Sequence, residues 1–254
     1  MSLAERLEAR SVWASGHRVS LRVEGDGPPL LLINGLTRST TSWAPFVAAL
    51  DGRTVVSFDA PGSGDSPAPL LPLSIGQLAD VALAVLDESG FGAADVLGYS
   101  HGGAVAQELA IRRPDRVRRL ILVATSCGAG STMGSWSSLE SPQGAASAAR
   151  GLDAVTLLWR ALAISAWSSI PFLGAVRAPT LVVCGTRDRV APLANSQLLA
   201  ARIPRAELVT LPYGHDLQKP FPAEALARVV GAFLAGDDDL LAESWADRFD
   251  SSTP

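Results

Sequence analysis

Residues 96–110, VLGYSHGGAVAQELA, run a short apolar stretch straight into a helical pattern, with a serine between glycines at the junction. The run is too short for a helix and reads as a buried strand, and the residues from 102 to 113 read as the helix that follows. Gly98-Tyr99-Ser100-His101-Gly102 is therefore a G-x-S-x-G at a strand-to-helix corner, the context in which that pattern presents a nucleophile. A strained backbone at the tip of such a corner projects the serine hydroxyl outward. Cβ atoms two residues before and after would collide there, which explains glycine at 98 and 102. Gly103 and Ala104 let the helix start close against its neighbouring strand, and its first N–H groups point toward developing negative charge. A plain capped turn is the competing reading, so the rest of the chain has to decide.

Length and composition describe one α/β domain with ample apolar mass: 254 residues, 48% hydrophobic and 18% charged. A net charge of −4 gives no basic field to recruit nucleic acid. Cys127 and Cys184 make neither a disulfide framework nor a C-x-x-C site. The stretch MSLAERLEARSVW lacks the apolar core of a secretory signal. The longest uncharged run, ALAISAWSSIPFLGAV at 161–176, is too short to span a bilayer and contains Pro171. These features predict a cytoplasmic protein with no stable membrane insertion. They leave the oligomeric state open.

Continuous apolar runs at 30–34, 54–58, 95–99, 119–125, 180–185 and 206–211 read as strands buried on both faces. Helical patterns around 42–50, 74–89, 102–113, 192–202 and 222–235 separate most of them, which predicts a doubly wound parallel sheet. The stretch HRVSLRVEGDGPPLLLIN predicts an antiparallel edge hairpin turning at Gly25-Asp26-Gly27. Residues 1–125 and 179–236 then form the core, and 126–178 an insertion too long for an ordinary connection. The insertion opens with the Gly/Ser-rich SCGAGSTMGSWSSLESPQGAASAA. Leu152, Val155, Trp159, Leu162 and Ala166 follow at helical spacing, predicting an amphipathic helix; for the stretch 161–176, burial against the core is favoured over a mobile lid that touches a lipid or polyester surface. The acidic tail 237–254 reads as disordered or as a loosely docked helix.

A serine hydroxyl needs a base, and the chain has three histidines. His17 lies in the edge hairpin and His101 adjoins the serine. His215, in LPYGHDLQ, follows the last strand at the sheet edge that also carries Ser100. A carboxylate must hold that histidine's tautomer. Asp188, in TLVVCGTRDRVAP, follows the preceding strand, whereas no carboxylate follows Thr125 and Asp216 adjoins the histidine too closely to reach round. The order Ser100, Asp188, His215 is that of α/β-hydrolases. Two N–H donors are expected to hold an oxyanion: His101, and Leu36 in the loop after Asn34-Gly35, with Thr37 next. The loop FDAPGSGDSP at 58–67 lacks phosphate-cradle spacing and reads as structural.

Asn34-Gly35, DAPGSGDS, GYSHGG, GTRDRVAP and YGHD together make the chain resemble the α/β-hydrolase superfamily over nearly its whole length. LLLINGLTRS, SWAPFVAALDG, SFDAPGSGDSP and NSQLLAARIPRAELVTLPYGHD resemble its intracellular polyhydroxyalkanoate depolymerase-like members. The resemblance implies a mostly parallel, doubly wound eight-stranded sheet with a short lid insertion. It also implies a serine esterase with no metal or organic cofactor, acting on a small-molecule or oligoester substrate of 3-hydroxy acids. His101 stands where that subgroup is expected to carry tryptophan, and the insertion is shortened, so reaction class carries over and substrate does not. Asn34, Gly35, Thr37, Trp136, Trp159 and Trp167 are the expected substrate contacts, with Leu139, Leu158, Leu162 and Phe172 as further acyl-pocket candidates. Two other functions compete. One is lyase, cyclase or acyltransferase chemistry on the same residues, with His101 as a second acid or base; the other is a non-catalytic module of this fold.

Overall fold

The computed structural model describes residues 9–36, 38–135 and 154–236. The strands are β1 (Arg10–Ala14), β2 (His17–Glu24), β3 (Pro29–Ile33), β4 (Thr54–Phe58), β5 (Ala94–Tyr99), β6 (Val117–Val123), β7 (Thr180–Gly185) and β8 (Ala206–Leu211). They form one eight-stranded sheet in the order β1-β2-β4-β3-β5-β6-β7-β8. Only β2 runs antiparallel, against β1 on one side and β4 on the other. The helices are α1 (Ala44–Ala48), α2 (Ile75–Glu88), α3 (His101–Arg112), α4 (Ala154–Ser165), α5 (Leu193–Arg202) and α6 (Pro220–Ala235).

Strand runs that look uniformly apolar divide their side chains between two cores. Leu31, Ile33, Val96, Leu120 and Leu122 face the side covered by α2, α3 and α5. Leu30, Leu32, Leu97, Ile121 and Val123 face α1 and α6. Both faces are covered, so a polar residue on either would be stranded, and the sequence runs apolar throughout. Helix α2 begins in a capping box: Ser74 Oγ accepts from Gln77 N–H while Gln77 Oε1 accepts from Ser74 N–H.

The edge departs from the predicted hairpin. His17–Glu24 does not fold back on β3; it pairs with β4, in register Leu21 with Phe58 and Val23 with Val56. Its hairpin partner is β1, reached through Ser15-Gly16, both with positive φ. Gly25-Asp26-Gly27 instead starts a passage to β3 beyond β4, beside the backbone of Gly52 and Arg53.

From β3 the chain moves to β4 on one side, then returns to place β5 on the other. The crevice between the carboxyl ends of β3 and β5 is thus the topological switch point, where open α/β sheets bind ligands. The opposite rim is closed by Asp95, 1% exposed, whose carboxylate meets Arg53 at 2.8 Å, with Arg118 and Arg119 within 4.0 Å. Arg53 also donates to the Leu234 carbonyl, tying α6 to the sheet. Asp95→Ala would leave that guanidinium buried without its counter-charge. A loss of about 3–5 kcal/mol in urea unfolding is expected.

Candidate active site

Ser100 links β5 to α3 with φ 52° and ψ −119°, a conformation that non-glycine residues adopt only where surrounding contacts enforce it. Ser100 N–H donates to Val123 O at 2.8 Å, and Ser100 O accepts from Thr125 Oγ1 at 2.6 Å and Gly103 N–H at 2.9 Å. A Cβ on Gly98 would lie 2.5 Å from Gly102 O and 2.6 Å from Ala106 Cβ, and one on Gly102 would strike the backbone of Ile33 and Asn34. The glycines thus let the corner close against β3, as the spacing predicts.

Ser100 Oγ lies 3.1 Å from His215 Nε2, and His215 Nδ1 lies 2.8 Å from Asp188 Oδ2. The other Asp188 oxygen accepts from the N–H groups of Val190 and Ala191, each at 2.8 Å. One carboxylate lobe is therefore committed to its own loop, leaving the second to orient the imidazole. The ends of β7 and β8 bring these loops together: Thr186 N–H donates to Leu211 O and Arg187 N–H to Tyr213 O. Gly185 admits that approach, because a Cβ there would meet the Tyr213 and Gly214 carbonyls. Tyr99, whose phenol burial pushes far above its ordinary pKa, donates its hydroxyl to His215 O at 2.7 Å.

The loop after β3 is built on Asn34. Its Oδ1 accepts from Gly35 N–H and from Gln218 Nε2, both at 3.0 Å, and its Nδ2 donates to Ser39 O. Arg38 pairs with Asp216, which also holds Lys219 at 3.0 Å. Burial pushes the Asp216 carboxyl up, but the Lys219 and Arg38 charges outweigh it and hold the group below the usual range. The loops carrying Leu36 and His215 are thus clamped to each other. The N–H groups of Leu36 and His101 donate to no other group among the described residues. His101 is the first residue of α3, where the helix dipole adds to its N–H. Thr37 lies outside the described residues.

Leu36, Ser100, His101 and His215 border a cavity of about 380 Å³. Its far wall is the segment from Gly128 to Gly134, with Ile164 and Ser165 of α4 and Val190, Ala191 and Asn195 opposite. Asn195 secures that wall, accepting from Thr132 N–H at 2.8 Å and donating to Thr132 O at 3.1 Å. Gly35 lines the cavity and Asn34 does not. Among the described residues no group of three or more His, Cys, Asp or Glu is placed to hold a metal ion, and no helix is long and apolar enough to cross a membrane.

A family model described as the alpha/beta hydrolase fold matches residues 28–152. A poly(3-hydroxyalkanoate) depolymerase of Ectopseudomonas oleovorans is 34% identical over 81% of this chain and 84% of its own. The chain belongs to the α/β-hydrolase family. A 2-hydroxymuconate semialdehyde hydrolase of Pseudomonas putida is 29% identical over 91% of this chain and 95% of its own. The crystal structure of the enol-lactonase from Burkholderia xenovorans LB400 superposes with TM-score 0.78 at 26% identity, covering 89% of this chain and all of that one. Like these relatives, the protein is a hydrolase of the α/β-hydrolase family.

The insertion of this α/β-hydrolase departs most from expectation. On α4, Val155, Leu158 and Leu162 are 53%, 57% and 57% exposed, whereas Thr156 and Arg160 are buried. Of the predicted stripe, Val155 and Leu162 face outward and Trp159 is half-buried. Trp159 lines a narrow cleft with Pro61, Pro69, Leu73 and Leu78, away from Ser100. Trp167 packs on the α2–α3 core and donates its indole N–H to Glu108 at 2.9 Å. Phe172 is exposed. Trp136, Leu139 and Leu152 lie outside the described residues, as does the tail 237–254. The cavity wall is instead small-residue backbone, which hydrophobic periodicity does not detect. Sequence reasoning also passed over Arg160, Arg38 and Gln218. For Arg160 the available signal was the Thr156–Arg160 spacing of one helical turn.

His101 does not match a second acid or base. Burial, helped by the Arg160 charge, lowers its pKa to about 3, and its Nε2 has no partner among the described residues. Between pH 6.5 and about 3 the unfolded chain binds a proton that the folded chain refuses, so folding weakens as pH falls through that window. Replacing His101 by Gln is expected to remove up to about 1.4 kcal/mol per pH unit of that slope, measured by urea unfolding between pH 7 and 4.

Proposed function

We propose that the protein is a serine hydrolase of carboxylic esters, acting through an acyl-enzyme on a hydrophobic acyl or 3-hydroxyacyl substrate. The observation that carries this reading is the unbroken chain Ser100 Oγ to His215 to Asp188, at 3.1 and 2.8 Å, opening on a cavity of about 380 Å³. His215 Nε2 takes the serine proton as Oγ attacks the acyl carbon. The carbonyl oxygen becomes negative and is held by the N–H groups of Leu36 and His101, which need no reorganisation to receive it. His215, now an imidazolium held by Asp188, gives its proton to the departing alkoxide. Water then repeats the sequence on the acyl-enzyme and frees the acid.

Similarity to a poly(3-hydroxyalkanoate) depolymerase favours an ester with a 3-hydroxyacyl part, and the largely small-residue wall leaves room for an oxygen-bearing chain. Hydrolysis of chromogenic acyl esters tests the reading. Ser100→Ala and Asp188→Asn are expected to lower kcat by about 10⁴-fold or more, and Ser100→Ala to abolish labelling by a fluorophosphonate. Wild-type turnover by Ser100→Ala would refute it.

Ile164 projects from α4 at the cavity wall. Ile164→Trp is expected to depress kcat/KM for medium-chain esters roughly tenfold more than for acetate, read from a chain-length series.

A further inference from the structure

Arg160 is a cation in an unusual place. It is 5% exposed, and among the described residues it meets no carboxylate at ion-pair distance. Its guanidinium instead donates to three oxygens on two loops: Leu36 O at 3.2 Å, Ser63 Oγ at 2.8 Å and Pro61 O at 2.7 Å. One turn earlier on α4, buried Thr156 packs on Gly62, whose φ of +82° leaves no room for a side chain. The Pro61–Ser63 turn is anchored in its own right, because Asp59 accepts from Thr40 N–H at 2.7 Å and Asp65 N–H at 3.0 Å. Arg160 thus bridges a fixed turn and the carbonyl of Leu36, whose N–H is assigned to the oxyanion.

We infer that Arg160 is a positioning residue: α4 uses its guanidinium to hold the Leu36 carbonyl, which restrains the Leu36 backbone and so steadies the N–H on the other side of its Cα, and the docking of the insertion helix thereby sets the geometry of the oxyanion hole. The planar fork suits this role, because its N–H groups diverge at fixed angles and satisfy oxygens on separate loops at once. Burying a cation that no carboxylate meets at ion-pair distance is costly, and the charge of Asp59 on the neighbouring turn offsets only part of that cost. Val155, Leu158 and Leu162 remain exposed while the arginine is buried, so its polar contacts help to seat the helix beside the packing of Ala163 and Ile164 on the core. Burial of Arg160 also lowers its pKa, to about 10, which leaves it charged at neutral pH. The inference rests on Ser100 as nucleophile.

The experiment compares an ester with its thionoester, in which C=S replaces C=O and gains less from oxyanion-hole donors. Arg160→Gln is expected to lower kcat for the oxoester about 10–100-fold with KM within about twofold. It should also shrink the oxoester-to-thionoester rate ratio several-fold while leaving the pH midpoint of activity unchanged. General damage to the fold would lower both rates together and preserve the ratio. Arg160→Lys keeps the buried charge and is expected to shrink the ratio less. Wild-type kcat in the Gln variant, or both rates lowered with the ratio preserved, overturns the inference, as does a wild-type ratio in Lys if Gln fails to fold. Turnover surviving Ser100→Ala would instead overturn the esterase reading, a result that the arginine variants cannot mimic.

Discussion

The backbone at Ser100 can hold φ 52° only because three elements press on it together. Val123 of β6 takes its N–H, Thr125 beyond β6 takes its carbonyl, and α3 starts so close to β3 that Gly102 has no room for a Cβ. The constraint works in both directions. The sheet must be parallel and correctly ordered for β3, β5 and β6 to meet at this point. Once they meet, the hydroxyl has one direction left to it.

A hydroxyl so placed is useful only if the loops around it hold still, and they hold each other. Asn34 joins the loop after β3 to Gln218, Arg38 joins it to Asp216, and Tyr99 reaches the main chain of His215. Each link crosses from one strand end to another, and each is at least partly shielded from water, where a hydrogen bond or ion pair keeps more of its strength. Rigidity at the mouth of the crevice is thus distributed over the loops that approach Ser100.

What the sequence makes legible follows from how local the cause is. The six apolar strands and five core helices fall where the patterns put them, within a few residues, because burial leaves a direct trace in residue type, on both faces for the inner strands and less fully for the edge strand β8. Ser100, Asp188 and His215 could be read because each follows a strand that enters the same rim. The edge was misread: Gly25-Asp26-Gly27 looks like a hairpin turn, but β2 prefers the apolar edge of β4 to its neighbour in sequence. Helix α4 was misread for a subtler reason. Its period was right, but Val155 and Leu162 face outward, because periodicity reports that a helix has two unlike faces and not which one the protein keeps. The buried side carries Arg160, whose three acceptors lie about a hundred residues away along the chain.

The wall opposite the serine is made of Gly128, Ala129, Gly130, Ser131 and Thr132, and it owes its shape to main chain rather than to side chains. A wall of that kind has almost nothing to trim. Single-nucleotide change can add bulk there and so reduce the volume, while enlargement has to come from the larger side chains beside it, Met133, Ile164 and Val190, or from the length of the segment itself. Narrower chambers are therefore reachable by many single substitutions, and wider ones by few.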